Sequence, residues 1–270
     1  MHRPISPPPR APRRAPARTA ALTLALLATL ALCPAARADA LADLKAALQK
    51  LPATAPIKGS VSVKVRKQAG EGQEAEDQQG QTSLGFEDGP PGLHLQYTGE
   101  QLARVRVEDQ AREADPAART PVLTGLGALG LRDVRELTGA ADSLLRQIQR
   151  STFRSEKAEA WNGKPARVLS FDLGLPKMAA RQQKYVKHHE GTLTVWVGAD
   201  GLPLAAHSTQ TVSGRAMVVI SFEMKQDEDL TYALVGERLV ATRRITHNSG
   251  SGAGEHSDER SEWQLQATPG

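Results

Sequence analysis

The chain has 270 residues, with 34 Lys and Arg against 30 Asp and Glu and a formal net charge of +4. Residues 1–38 hold six of the arginines and no acidic residue, so the remainder has 28 basic and 30 acidic side chains and a net charge of −2. The basic character therefore belongs to the first segment, and the rest of the chain lacks the basic excess that binds nucleic acid. We expect no nucleic-acid partner.

Residues 1–38 have the pattern of a cleavable secretory signal peptide. An arginine-rich start precedes residues 20–33, an apolar run that is too short, at about 1.5 Å per residue, to cross a hydrocarbon core of about 30 Å. Ala36 and Ala38 have the spacing that signal peptidase accepts, so we expect cleavage between Ala38 and Asp39. This pattern predicts export to the periplasm and at most a peripheral association with the membrane.

Cys33 raises the question of a lipid anchor, because lipoprotein signals end in an acylated cysteine. The residues before Cys33 are Leu30, Ala31 and Leu32, so a leucine stands where that signal needs a small residue. Pro34 follows Cys33 directly. We therefore do not expect lipidation at Cys33. The chain after residue 38 has no cysteine, which leaves a packed core as its source of stability. We expect residues 39–270 to form one domain.

The chain after residue 38 is predicted to begin with a helix followed by strands. Leucines at three- and four-residue steps over residues 39–51 predict a short amphipathic helix. Valines that alternate with polar residues from position 58 onward predict a strand with one solvated face. The polar stretch 69–82 is interpreted as a long hairpin connection. Short apolar runs predict three further strands, the last of which contains Leu102 and Val107.

The centre and the end of the chain predict a long helix and several hairpins. An apolar stripe over residues 133–150 predicts the strongest helix of the chain. The Asn-Gly pair at 162–163 predicts a type I′ hairpin turn, since both positions of that turn need positive φ. A second hairpin is predicted around 199–201, a turn at 226–229 and a loop over 248–256.

This order of elements predicts an α+β fold that is mainly β. We count about eleven strands and two or three helices, without the regular alternation of strand and helix that builds a parallel sheet. Sequential strands joined by tight turns favour one antiparallel sheet. Helices with one apolar face must pack against it.

Residues 125–130 have the G-x-G-x-x-G spacing that cradles dinucleotide phosphates. That loop works at the end of a buried parallel strand that leads into a helix, and antiparallel strands surround the motif here. We interpret it as a flexible link between two helical pieces.

Histidines are the candidate metal ligands. His188 and His189 are adjacent, and neighbouring side chains on a strand point in opposite directions, so we interpret them as a solvated pair. His94, His207 and His247 would contribute only if the fold gathered them. The sequence contains no Gly-x-Ser-x-Gly, Ser-x-x-Lys or cysteine-nucleophile motif. We therefore predict no catalytic residue, metal or cofactor.

Two hairpins carry a resemblance to a known family. Residues 193–204 read LTVWVGADGLPL, an apolar strand followed by an acidic-glycine turn and Leu-Pro, and residues 161–171 read WNGKPARVLSF. Both segments, and the order of elements around them, resemble the periplasmic lipoprotein-carrier and lipoprotein-localisation-factor superfamily.

The resemblance implies a strongly curved, half-open antiparallel barrel of about eleven strands. Two or three helices would pack on its concave side and leave an apolar cavity between helices and sheet. Members of the superfamily hold acyl chains of lipoproteins or sense exported proteins. The aromatic content of 4% departs from the composition expected of a large acyl-chain cavity and indicates a small or filled one.

We expect a non-enzymatic periplasmic binding protein, a carrier or sensor that holds an apolar ligand or a lipidated protein. The predicted ligand contacts are three residues of the central helix and three of the strands, namely Leu137, Leu144, Ile148, Trp161, Val195 and Phe222. The first alternative is an envelope adaptor with a filled core that binds protein partners through a strand edge or loops. A hydrolase in which histidines and acids converge is a minor alternative.

Overall fold

Ten strands of one antiparallel sheet carry the structure, a computed structural model that describes residues 39–51, 53–70, 76–176, 178–216 and 220–270. The strands are β1 Ile57–Ala69, β2 Glu76–Gly89, β3 Gly92–Gln96, β4 Ser151–Trp161, β5 Lys164–Leu173, β6 Val186–Val197, β7 Pro203–Ala216, β8 Ile220–Val235, β9 Arg238–Gly252 and β10 Glu255–Pro269. Their order in the sheet is β3-β2-β1-β10-β9-β8-β7-β6-β5-β4, so the sheet is open between β3 and β4. It is also curved. The mainly β, antiparallel class is confirmed, with ten strands rather than about eleven.

The described ranges contain five helices of eight residues or more and one single-turn helix, against the two or three expected. They are α1 Ala40–Gln49, α2 Gly99–Ala114, α3 Pro121–Ala128, α4 Leu131–Thr138, α5 Ala140–Gln149 and α6 Ala180–Gln183. None of the helices in these ranges combines the length and the apolar content needed to cross a bilayer. The predicted signal peptide, with Cys33 and Ala38, lies outside the described residues. Asp39 accepts hydrogen bonds from two backbone N–H groups at the start of α1.

One face of the sheet carries the hydrophobic core. Directly opposed residues of antiparallel strands point to the same face, and the row Val63, Trp263, Arg244 and Leu230 crosses β1, β10, β9 and β8 on the face that we call the inner face. Three helices, α1, α4 and α5, bury apolar side chains there. These side chains are Leu44, Leu48, Val134, Leu137, Leu144 and Ile148. The opposite face is called the outer face.

A buried ion pair fastens the helices to two hairpins. Arg238, which is 2% exposed, donates from Nε to the Thr138 carbonyl at 2.7 Å and from Nη1 to the Ala55 carbonyl at 3.0 Å. Its Nη2 pairs with the Asp88 carboxylate, which also accepts a 2.7 Å bond from the Thr138 hydroxyl. We call these side chains, Arg238, Asp88 and Thr138, the Arg238 clamp. It joins the β8–β9 hairpin, the β2–β3 hairpin and the end of α4.

The strand predicted through Leu102 and Val107 is wrong, because this segment is the helix α2. Thr98 and Gln101 form a reciprocal capping box that starts it, and α2 has no buried residue. Leu102 is 48% exposed and Val107 is 65% exposed. The apolar residues of this segment therefore do not form the buried face of a strand. The capping box is the local feature that favours the helix.

Three polar segments predicted as connections are mostly strand. Residues 76–82 belong to β2, residues 226–229 lie in the middle of β8, and residues 248–252 continue β9. The turn between β9 and β10 lies at Ala253 and Gly254, which have φ of 56° and 85°. Backbone pairing stabilises these segments without a continuous apolar face. Residues 76–82 pair with β1, and residues 226–229 and 248–252 pair with a strand on each side.

The predicted helix 133–150 is two helices, since α4 and α5 meet at Gly139. The hairpins at residues 162–163 and 199–201 are confirmed, and Asn162 and Gly163 have the positive φ that a type I′ turn needs. Gly125 lies inside α3 rather than in a flexible link. A Cβ there would come within 2.8 Å of the Gln81 backbone, so the glycine permits close packing of α3 on β2.

Candidate functional site

A cavity lies on the inner face, between α4 and α5 and the strands β7 to β9. It has a volume of about 690 Å³ and is called the arginine cleft. Its apolar lining comes from the helices, the sheet and the segment after β5, and consists of Leu137, Ala140, Leu144, Leu173, Leu175, Pro176, Leu230, Tyr232 and Ala241. Polar side chains surround these residues, so the cleft is not the leucine- and valine-lined cavity that a purely apolar ligand would require.

The rim of the arginine cleft is positively charged. Five arginines and two glutamates line it, which leaves a formal charge of +3. These residues are Arg132, Arg135, Arg146, Arg150, Arg244, Glu136 and Glu228. Arg135, Arg146 and Arg150 are exposed on the helices, where their guanidinium groups can donate to an anion.

Arg244 is a half-buried arginine of the cleft that pairs with acidic side chains of the protein itself. Its guanidinium lies 2.6 Å from Glu228 and 3.3 Å from Asp133, and it packs 5.9 Å from the Trp263 ring. Burial lowers its pKa, but Glu228 and Glu136 outweigh that effect, so the pKa of Arg244 lies above its ordinary value. Arg244 therefore stays charged and holds the floor of the cleft together.

A second, more apolar cavity lies further along the inner face, where the long strands extend beyond α4 and α5. It has a volume of about 490 Å³ and is called the apolar pocket. Its larger apolar side chains are Met178, Tyr185, Val186, Phe222 and Met224, and Gln182, Glu255 and His256 also line it. Met224 is 48% exposed.

Glycines make the space in the apolar pocket. Phe222 on β8 is directly opposed by Gly214 on β7 and by Gly252 on β9, and Met224 is opposed by Gly250. The Phe222 ring packs closely over Gly214, where a Cβ would lie 2.8 Å from the ring, and Gly250 and Gly252 line the pocket beside Phe222 and Met224. The result is a trough along Phe222 and Met224.

The strand β8 connects the two cavities. Its alternate residues point to the inner face, and Phe222 and Met224 line the apolar pocket while Gln226, Glu228 and Leu230 line the arginine cleft. Adjacent members of this series are about 7 Å apart along the strand. An apolar surface therefore continues into a charged one along a single strand.

The structure distributes the predicted ligand contacts over different places. Leu137 and Leu144 line the arginine cleft but are only 1% and 2% exposed, since they pack in the core. Ile148 and Val195 are buried in the same core and line neither cavity. Whether Leu137 and Leu144 touch a ligand stays a prediction.

The other two predicted contacts lie apart from these. Phe222 lines the apolar pocket, and Trp161 is half-buried at the end of β4, beside the hairpin turn. Phe222 and the helix residues therefore belong to different cavities. The arginines of the rim were missed in the sequence because an arginine on an exposed helix face has the ordinary appearance of a solvated residue.

The histidines have several environments. On the outer face, His207 lies 2.9 Å from Asp229 and 3.8 Å from Asp227. The sequence placed both aspartates on a hairpin tip, so it gave no sign of this cluster. His188 is exposed, and Nε2 of His189 is buried without a hydrogen-bond partner among the described residues.

Comparisons with known proteins give little further information. No protein-family model matches the sequence, and no curated protein matches it. Among solved structures, a DUF1329 family protein from Desulfovibrio piger is similar at a TM-score of 0.32 and 10% identity, over 84% of this chain and 90% of that chain. A TM-score this low supports no inference about function.

Proposed function

We propose that this protein is a non-enzymatic binding protein for an amphiphile that has an apolar chain and an anionic head group. The apolar chain would lie in the apolar pocket, and the head group would face the arginine cleft. In the periplasm, where the signal peptide is predicted to send the protein, such a protein would act as a carrier or a sensor.

The observation that carries this proposal is the two-part surface along β8. Phe222 and Met224 provide apolar contact at one end, and Glu228 and Leu230 lie in the charged cleft at the other. From Met224 to Leu230 the strand covers about 20 Å. This length matches an extended acyl chain better than a compact metabolite.

The chemistry of the lining favours an anionic amphiphile over a neutral lipid. Each methylene buried in the apolar pocket contributes about 0.8 kcal/mol, and charge-assisted bonds from the exposed arginines fix the head group. The formal charge of +3 around the arginine cleft would repel a cationic head group. A fatty acid is the simplest ligand with both properties.

Binding of a fluorescent fatty acid to the wild-type protein and to two variants tests the proposal. Met224 and Leu234 are both exposed on β8, at 48% and 45%, but Leu234 lines neither cavity. M224E places a carboxylate in the apolar pocket and is expected to weaken binding at least about tenfold, or about 1.4 kcal/mol. L234E is the matched control and is expected to bind as the wild type does.

Equal affinity of M224E and the wild type would remove the apolar pocket from the proposal. Equal weakening by M224E and L234E would indicate a general effect of the added charge. Absence of binding to the wild type at probe concentrations up to its solubility would reject the function itself.

Binding of a protein partner is a second candidate function, favoured by the edge strand β4. The described sheet ends at β3 on one side and at β4 on the other. β4 pairs only with β5, and its residues 152–160 are exposed. A partner that added a strand there would protect the amides of β4 from hydrogen exchange. Unchanged exchange of these amides in a periplasmic extract would count against it.

A further inference from the structure

A histidine and two aspartates meet on the outer face, away from both cavities. His207 on β7 is directly opposite Asp229 on β8, and Asp227 lies two residues before Asp229 on the same face. Opposed residues have Cβ atoms about 5 Å apart, and the diagonal neighbour is still within reach of a long side chain. The sheet itself therefore holds the three side chains together.

The polar atoms of this cluster are close enough to share one ion. His207 Nδ1 lies 2.9 Å from Asp229 Oδ1, and His207 Nε2 lies 3.8 Å from Asp227 Oδ2. One ligand atom from each of the three residues lies within 4.8 Å of the other two. The side chains are 34%, 48% and 56% exposed, so each can rotate toward a common centre.

The electrostatic setting distinguishes these aspartates from other acids of the outer face. Glu262 pairs with Arg243 at 2.9 Å, and Asp77 pairs with Arg66 at 2.7 Å. Within the part of the chain that the structure describes, the ion pairs of Asp227 and Asp229 are with His207 alone. His247 on β9 is directly opposite Asp227 but pairs with Asp258. The ion pairs of the two aspartates thus include no arginine or lysine, which leaves negative charge for a cation to balance.

We propose that His207, Asp227 and Asp229 form a binding site for a divalent transition-metal cation, with Zn²⁺ as the reference ion. An imidazole nitrogen and two carboxylate oxygens are ligands that Zn²⁺ accepts at about 2.0–2.2 Å, and a fourth position stays open to water. Such bond lengths place neighbouring ligands about 3.3 Å apart in a tetrahedron, so the cluster contracts on binding. The ion would link β7 to β8, and the site is independent of the amphiphile proposal.

Calorimetric titration of the untagged protein with zinc chloride tests the site. The wild type is expected to bind one Zn²⁺ through this cluster. D227N retains every histidine and the size of the side chain, and it is expected to weaken that binding at least about tenfold. E262Q removes one negative charge elsewhere on the outer face and is expected to change the affinity less than about twofold.

H207Q is the second variant and is expected to abolish the same binding event. Circular dichroism and urea unfolding establish that each variant is folded before titration. Equal Zn²⁺ affinity of D227N and the wild type would overturn the proposal, and so would a wild type that binds no Zn²⁺ at millimolar concentration. An equal loss in E262Q and D227N would also overturn it, because the attraction would then be general rather than local.

Discussion

At the scale of single residues, the Arg238 clamp is a buried ion pair with its hydrogen-bond partners. Removing one partner of a buried ion pair leaves the other charge without compensation. R238M is therefore expected to lower the free energy of unfolding by about 3–5 kcal/mol in urea denaturation, because Asp88 stays buried beside Thr138.

Arg243 provides the control for this prediction. It pairs with Glu262 on the surface, where its side chain is 51% exposed. R243M is therefore expected to lower the free energy of unfolding by less than about 1 kcal/mol. Similar decreases in the free energy of unfolding in R238M and R243M would contradict a special role of the Arg238 clamp in stability. A double variant R238M/D88N should recover part of the stability, since it removes the stranded charge.

The pair His247 and Asp258 makes a prediction about pH. The hydrogen bond to His247, with a smaller contribution from Arg260, lowers the pKa of Asp258 below its ordinary value. A carboxyl whose folded pKa is lowered stabilises the fold above its unfolded pKa of about 3.9, and this stabilisation disappears as the pH falls through the folded pKa.

The consequence appears when D258N is compared with the wild type at several pH values. At pH 6 D258N is expected to be less stable, by no more than about 1 kcal/mol since Asp258 is partly exposed. As the pH falls through the lowered folded pKa of Asp258, the difference should largely vanish. Urea unfolding measures the difference in free energy of unfolding between D258N and the wild type. An increase of this difference toward acid pH would contradict the prediction.

At the scale of elements, the sequence predicts strands best where one face is buried and a turn signal follows. The valines Val61 and Val63 alternate with polar residues and form the centre of β1, and Asn162 with Gly163 turns the hairpin. Both signals are local. They depend on side-chain alternation and on positive φ, which the residue types reveal directly.

The segments whose secondary structure was predicted wrongly either lack such local signals or contain two signals that favour different structures. Residues 226–229 are all polar, and β8 is stabilised there by pairing with β7 and β9, which are distant in sequence. In α2 the alternation of Val105 and Val107 indicated a strand, while the capping box at Thr98 decided for a helix. Non-local pairing and caps therefore account for these errors.

The packing of α3 on β2 allows a test with two glycines of one helix. A Cβ at Gly125 would lie 2.8 Å from the Gln81 backbone, whereas a Cβ at Gly127 meets nothing within 4 Å. G125A is expected to destabilise the protein by about 1–3 kcal/mol through overpacking. G127A is expected to be neutral or to stabilise by up to about 1 kcal/mol, since alanine favours the helix. Equal effects on urea unfolding would contradict close packing at Gly125.

At the scale of the whole molecule, the sequence predicts the class of fold but not the arrangement of the cavities. Leu137 and Leu144 were selected for their helical face, and that face packs in the core with little exposed area. Phe222 was selected as a strand residue, and it lies in the apolar pocket because Gly214 and Gly252 oppose it. The space around a residue depends on its cross-strand neighbours, which no local pattern reveals.

The arginine cleft predicts a preference for anionic head groups. Arg146 and Arg150 are exposed on or next to α5 and line the cleft. The double variant R146Q/R150Q is expected to weaken binding of a fatty acid about tenfold, because two donors to the carboxylate are lost. The fatty alcohol of equal chain length is expected to bind both proteins alike. Equal weakening for acid and alcohol in competition assays would show that the arginines act on structure and not on charge.

The most direct test of amphiphile binding is native mass spectrometry of the wild-type protein and M224E, each purified gently with its co-purifying small molecules. The wild type is expected to carry an adduct of a few hundred daltons that organic solvent extracts as an anionic lipid, and M224E is expected to carry much less of it. A bare wild-type mass, with no uptake of added fatty acid, would contradict the account and direct attention to the edge strand β4 and protein partners.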